Sequence, residues 1–197
     1  MRFIGNHSTG KMGYAIALEA ARQGAQVIVV SGPTQLTIQH PNISLHRVQS
    51  AQEMYEKVSE FFPTADAAIL SAAVADFTPK IVRNQKIKEK QQSLHIELQP
   101  TVDIAKEIGK TKQAHQKIIG FALETHNEIE HALGKMQRKN FDCIVLNSLA
   151  DAGAGFGYDT NKVTVLHKNG KVDNYELKSK HEVAVDIIRT LGELLES

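Results

Sequence analysis

The first run able to do chemistry is Gly5-Asn6-His7-Ser8-Thr9-Gly10-Lys11-Met12-Gly13, which has the Gly-x-x-x-x-Gly-Lys spacing of a phosphate-cradling loop. The motif breaks at Met12, where a Ser or Thr hydroxyl would meet magnesium, and only Met1 to Ile4 precede it where a full strand should lie. What survives is a glycine-flanked turn feeding a helix, whose free N–H groups and positive dipole end favour an anion. Ser8 or Thr9 equally suits a plain helix cap. A second run, Ser71-Ala72-Ala73-Val74-Ala75-Asp76, is small enough for a planar ligand to approach the backbone. Its Asp76 is either an acceptor for a base or ribose, or the cap of a turn. In the third, Lys86-Ile87-Lys88 with Lys90, flexible point charges suit a polyphosphate, although such a run is also an ordinary solvated surface. Lys135 and Lys139 lie four apart and so share a helix face.

Other chemistries find little support. The nine histidines form no His-x-x-x-His pair, no Gly-x-Ser-x-Gly elbow is present, and Cys143 is the sole cysteine. One thiol excludes an internal disulfide framework and a multi-cysteine zinc site, and fits a reducing compartment.

These residues must be positioned by alternating strands and helices. Gly10 to Gln23 reads as a helix stopped by Gly24, Val27 to Val30 as a strand, and Ile43 to Val48 as another. Ala51 to Phe62 is helical, Ala67 to Leu70 a strand, and Asp76 to Gln92 a mobile loop backed by an alternating strand from Leu94 to Leu98. Val102 to Ile108 is a helix, Ile118 to Phe121 a strand, Glu128 to Lys139 a helix and Cys143 to Leu146 a strand. A glycine-rich loop from Ala152 to Gly157 leads to a hairpin of Val163 to His167 and Val172 to Leu177, and Val183 to Leu195 closes the chain as a helix. This alternation predicts an α/β fold, a doubly wound Rossmann-like parallel sheet, in one domain over residues 1–197. In such a sheet ligands collect beyond the carboxyl ends of the strands, where the polar runs fall.

With 197 residues the chain is long enough for a well-buried core. Its 23 basic and 22 acidic residues are interspersed, so no field argues for nucleic acid or a membrane surface. No apolar stretch approaches the roughly 20 residues that span a bilayer, and the reading is cytoplasmic.

Taken in register, the segments Arg2 to Gly13, Ala72 to Phe77, Lys86 to Lys88, Gly120 to Thr125 and Lys139-Asn140 resemble the phosphopantothenate–cysteine ligase family over nearly the whole chain. The resemblance implies CTP-dependent joining of 4'-phosphopantothenate to L-cysteine through an acyl-cytidylate, with Mg2+ accompanying CTP and no flavin on this chain. By the same resemblance Leu70, Ser71, Ala72, Asp76, Val102, Asp103, Ile104, Ala105, Phe121, Lys135 and Lys139 fall on CTP-binding positions. Lys86 is implied as the loop lysine that neutralises charge during acyl transfer, and Asn6 as an asparagine near the acyl-cytidylate carbonyl. Arg2, Asn6 and Ala72 are implied on the phosphopantothenate side, Arg2 acting across a homodimer interface. The hairpin, at about 162–178, resembles a dimerisation flap.

Family members begin with a complete strand and a Gly/Thr-rich loop before the Arg-Phe-Ile segment, and this chain starts after both. An open edge, or a substitute for that strand, is therefore expected in the sheet. The decarboxylase that many bacteria fuse upstream is an expected partner, fused or separate. Two other classes remain open: an NAD(P)-dependent oxidoreductase of similar architecture, which lacks the Gly-x-Gly-x-x-Gly that should follow a strand, and a non-catalytic nucleotide-binding module.

Overall fold

The computed structural model describes residues 5–6, 8–82, 95–124, 127–148 and 158–196. In chain order the elements are α1 (Lys11–Arg22), β1 (Val27–Ser31), β2 (Ile43–Arg47), α2 (Ala51–Phe61), β3 (Ala67–Leu70), β4 (Phe77–Pro79) and β5 (Leu98–Pro100). They continue with α3 (Ile104–Thr111), β6 (Lys117–Glu124), α4 (Glu128–Arg138), β7 (Cys143–Ser148), β8 (Thr160–Asn161), β9 (Val163–His167), β10 (Val172–Asn174), β11 (Lys178–Ser179) and α5 (Lys180–Leu195).

The main sheet runs β10-β9-β7-β6-β3. Its β3, β6 and β7 are parallel, while β9 lies antiparallel to β7 and β10 antiparallel to β9. Alternate residues of β6 and β7 serve opposite layers, as a strand buried on both faces requires. Ile119, Cys143 and Val145 face Ile16 of α1 and Val183, Ala184 and Ile187 of α5. Ile118, Ala122, Ile144 and Leu146 face Ile108 of α3 and Ala132 and Met136 of α4. The architecture is thus the expected mixed α/β sandwich with a mostly parallel sheet.

One close approach fixes a glycine. A Cβ on Gly120 would lie 2.1 Å from the Phe141 ring, which is itself 1% exposed, so only a hydrogen side chain fits at that point of β6.

The parallel pair β1–β2 forms a separate sheet. Among the described residues no ladder joins β1 to β3, so each has a strand partner on one side alone. Burial reflects this split: no residue of β3 is fully buried, and Ile28 in the middle of β1 is 46% exposed, whereas Ile118, Ile119, Cys143 and Ile144 are at 0%.

Several boundaries differ from expectation. The helix expected from Val102 begins at Ile104, because the Asp103 carboxylate accepts the Lys106 N–H and caps it. Of the strand expected over Leu94 to Leu98, Leu94 lies outside the described residues and the described strand, β5, begins only at Leu98, paired antiparallel with β4. The last helix begins three residues before Val183, set by a capping box in which Ser179 and Glu182 satisfy each other's backbone N–H groups. The hairpin forms, but its second strand ends at Asn174 and its first is bonded along β7, so it extends the main sheet. The segment from Lys86 to Lys90 and the run from Ala152 to Gly157 lie outside the described residues.

Candidate active site

The turn before α1 is built without a side-chain cap. Gly10 is the N-cap at φ 80°, a left-handed conformation that favours glycine, and no acidic residue occupies the first turn. Of the Ser8 or Thr9 cap considered from sequence only a long contact forms: the Lys11 N–H donates to Thr9 Oγ1 at 3.5 Å, at the weak end of hydrogen bonding, and the N-cap residue is Gly10. Among the described residues no other side chain meets the first-turn N–H groups, which can therefore turn to an acceptor.

This turn is pinned to the carboxyl ends of β1 and β3. Thr34 Oγ1 donates to the Thr9 carbonyl at 2.9 Å, and Tyr14 Oη donates to Ser31 Oγ at 3.2 Å. Gly13 meets the end of β3, where a Cβ would come within 2.8 Å of Ser71 Oγ. Asn6 Nδ2 donates to the carbonyls of Ala73 and Val74, at 3.2 and 3.3 Å. Two runs that lie some sixty residues apart in sequence thus form one wall. Opposite it, Thr101 ties the approach to α3 to the same loop, its hydroxyl donating to the Ala75 carbonyl at 2.6 Å and its N–H to that of Asp76 at 2.9 Å.

Asp76 itself is exposed, and no turn-capping bond from its carboxylate is seen among the described residues. Ala72 is exposed beside it, whereas Leu70 and Ser71 are half-buried at the end of β3. Ile104 is buried, Val102 and Ala105 are half-buried, and Asp103 is exposed at the start of α3.

From α4, Lys139 Nζ reaches Asp103 Oδ1 at 2.9 Å, and Lys135 Nζ donates to the Phe121 carbonyl at 2.8 Å. Burial pulls the Asp103 carboxyl upward. The Lys139 and Lys106 hydrogen bonds and charges outweigh it and leave the group below the usual carboxylate range. Phe121 is half-buried and packs against the core formed with α1 and α5.

Hydrogen bonds thus join Asn6 to the Ser71 to Asp76 loop, that loop to the approach to α3, Asp103 at the start of α3 to Lys139, and Lys135 to the Phe121 carbonyl. Arg2 and Lys86 lie outside the described residues. Sequence reasoning missed Asn147 as an individual residue. Its Oδ1 is buried with no hydrogen-bond partner among the described residues, near the end of β7 and opposite Leu123 of β6. The signal available was one amide ending the apolar run Cys143 to Leu146.

No cluster of three His, Cys, Asp or Glu side chains fit to hold a metal ion occurs among the described residues. Cys143 is no nucleophile, since burial, with Asp173 and Asp142 nearby, pushes its thiol up to about 12. No helix among the described residues is long and apolar enough to cross a membrane.

Residues 1–194 match the family described as the DNA/pantothenate metabolism flavoprotein C-terminal domain. A cysteine/cysteine sulfinic acid decarboxylase from an unspecified prokaryote is 51% identical over 97% of this chain and 53% of its own length. The coenzyme A biosynthesis bifunctional protein CoaBC of Bacillus subtilis (strain 168) is 43% identical over 98% of this chain and 48% of its own length. The chain thus spans about half the length of these curated relatives. Among solved structures, the C-terminal domain of a coenzyme A biosynthesis bifunctional protein CoaBC superposes with a TM-score of 0.83 at 42% identity, covering 100% of this chain and 88% of that one. The DNA/pantothenate metabolism flavoprotein from Streptococcus pneumoniae, at 21% identity and TM-score 0.81 over 98% of this chain and 92% of that one, shares the fold.

The flavoprotein in the family's description weighs against the expectation of no flavin. A cleft of about 400 Å³ beyond β1 and β2 is lined by Gly32, Pro33, Thr34, Gln35, Arg47, Val48 and Gln49. That lining offers no aromatic face on which a tricyclic ring could stack.

Proposed function

This chain belongs to the DNA/pantothenate metabolism flavoprotein C-terminal domain family, and from that membership we propose that it ligates 4'-phosphopantothenate to L-cysteine with CTP in coenzyme A biosynthesis. The observation that carries the reading is the convergence of the uncapped α1 turn, the Ser71 to Asp76 loop and the α3–α4 edge around one set of strand ends.

A carboxylate offers an amine no adequate leaving group, so it must be activated first. Phosphopantothenate's carboxylate oxygen attacks the α-phosphorus of CTP, pyrophosphate leaves, and an acyl-cytidylate forms. Cysteine's amine then attacks the acyl carbon, losing a proton, and CMP departs with the bridging oxygen. The protein's work is to position these groups and to stabilise developing charge.

In this reading the open N–H groups of α1 receive phosphate oxygens, and the Asp76 carboxylate accepts from the base or ribose. Asn147 Oδ1, buried with no partner among the described residues, gives a ligand N–H an acceptor. Lys139 exchanges Asp103 for an anionic substrate, and Asn6 holds the loop whose backbone meets the acyl-cytidylate. Lys86 supplies charge neutralisation, and Arg2 acts from a partner subunit of a homodimer. Mg2+ travels with the triphosphate oxygens, because the described side chains make no resident site for it.

A second reading is favoured by the decarboxylase named among the relatives, in which this chain serves a protein that decarboxylates cysteine or its sulfinic acid. One assay separates them. Purified chain is given CTP, phosphopantothenate and cysteine, singly and together, and pyrophosphate, CMP and carbon dioxide are followed. Pyrophosphate release that needs CTP and phosphopantothenate, with CMP release that also needs cysteine, supports the ligase. Carbon dioxide from cysteine alone, without pyrophosphate, supports the second reading.

A further inference from the structure

Lys11 opens α1, and its ammonium extends to Asp159, with Nζ 2.6 Å from Oδ1. The pair is open to solvent, with side chains 37% and 86% exposed. Asp159 is held in place from behind. Lys180, the first residue of α5, donates to the carbonyls of Tyr158 and Thr160 and to Asn161 Oδ1, the last two at 3.2 and 3.1 Å. The Lys180 N–H also donates to the Asp159 carbonyl at 2.9 Å. The buried Asn161 in turn donates from Nδ2 to Met12 Sδ at 3.7 Å, so the α1 turn and the start of α5 are clamped together through residues 158–161.

The two ammonium groups differ in kind. Lys180 has three acceptors, which match its three N–H bonds, and is fully engaged in holding backbone. Lys11, on a flexible stem at the rim of the turn, has one carboxylate partner among the described residues. Burial and the neighbouring Lys11 charge both lower the Lys180 pKa, so the two cations share one local field that Asp159 offsets. An exposed ion pair of this type is worth little by itself and is readily exchanged for another anion.

We propose that Lys11 is the anion-contacting cation of the candidate site, that Asp159 occupies it as an internal stand-in when no ligand is bound, and that Lys180 positions Asp159 for that exchange. The ligand class is a phosphate or polyphosphate, which offers the same oxygen geometry with more charge than the carboxylate it displaces. This deepens the ligase reading, but its test uses inorganic pyrophosphate as the probe and measures binding alone, so the failure of one reading is distinguishable from the failure of the other.

Pyrophosphate affinity is measured by calorimetry at low and high salt for the wild type, Asp159→Asn, Lys11→Met and the double variant, with circular dichroism as the check on folding. Asp159→Asn is expected to tighten binding by about threefold or more, Lys11→Met to weaken it by a similar factor or more, and added salt to shrink both changes. In the Lys11→Met background, Asp159→Asn is expected to have little further effect, because the cation it would release is gone. Unchanged or weaker binding by a folded Asp159→Asn, the same gain with and without Lys11, or no pyrophosphate binding by any of the four proteins would overturn the proposal.

Discussion

Lys139, the C-cap of α4, and Asp103 at the start of α3, 36 residues apart in sequence, meet at 2.9 Å and close one side of the candidate site. Both residues were expected to face a nucleotide, and in the structure each satisfies the other. The carboxylate also caps its own helix, so this single oxygen links helix start, helix packing and site charge.

That link has a pH signature. The folded Asp103 carboxyl lies below its usual value near 3.8, so the stabilisation it supplies is fully present above that value and is lost as pH falls through the depressed folded value. Asp103→Asn is expected to reduce the loss of stability on acidification between about pH 5 and pH 2, read by urea unfolding at a series of pH values. An unchanged acid limb would mean that Lys139 does not hold the carboxylate in solution.

The contact between Gly13 and Ser71 should separate binding from stability. A methyl on Gly13 crowds Ser71 Oγ, a single atom that can rotate away, while alanine is the better helix former by about 1 kcal/mol. Gly13→Ala is expected to leave the melting temperature equal or higher and yet to weaken CTP binding. Adding Ser71→Ala should return part of the affinity by relieving the crowding, and equal affinity in all three proteins would show that this wall does not touch nucleotide.

Gly120 behaves differently, because the atoms its Cβ would meet belong to a packed ring. Gly120→Ala forces the Phe141 side chain out of its place and is expected to destabilise by about 1–3 kcal/mol, measured by denaturant unfolding. Phe141→Leu in the same protein should recover part of that loss.

The split between β1 and β3 predicts unequal protection. Amides of β6 and β7, bonded on both sides within the core, should exchange with solvent only through large unfolding events, whereas those of β1 and β3 exchange through smaller openings. Hydrogen exchange followed by mass spectrometry or NMR reads this directly, and equal protection across all four strands would show that the edges are covered in solution.

Much of the fold was legible because its signals are local. The unbroken apolar runs Ile118 to Phe121 and Cys143 to Leu146 mark strands buried on both faces, and the turn residues around Lys168 to Lys171 mark the hairpin. The start of α5 was missed because Ser179 to Glu182 is polar and carries no hydrophobic period, although its capping box is itself a start signal. The hairpin's bond to β7 is a matter of strand pairing at a distance, which composition does not encode.

For the site, sequence could nominate residue types beyond strand ends but not their partners. The Lys11–Asp159 pair spans 148 residues, and the packing of Phe121, half-buried against the α1–α5 core in phase with Ile119 along β6, depends on helices that join from both ends of the chain. Asn147 shows the reverse. Its identity was plain, but its significance rests on an oxygen left without a partner, which appears only once neighbouring strands are in place.

The most direct test of the ligase reading follows an oxygen atom. Phosphopantothenate carrying 18O in its carboxylate is incubated with the protein, CTP, Mg2+ and cysteine, and the CMP produced is analysed by mass spectrometry. Attack of that carboxylate on the α-phosphorus, followed by displacement of CMP by the amine, predicts one 18O atom in the phosphate of CMP for each turnover. CMP free of label, or carbon dioxide released from cysteine with no CMP formed, would contradict the account.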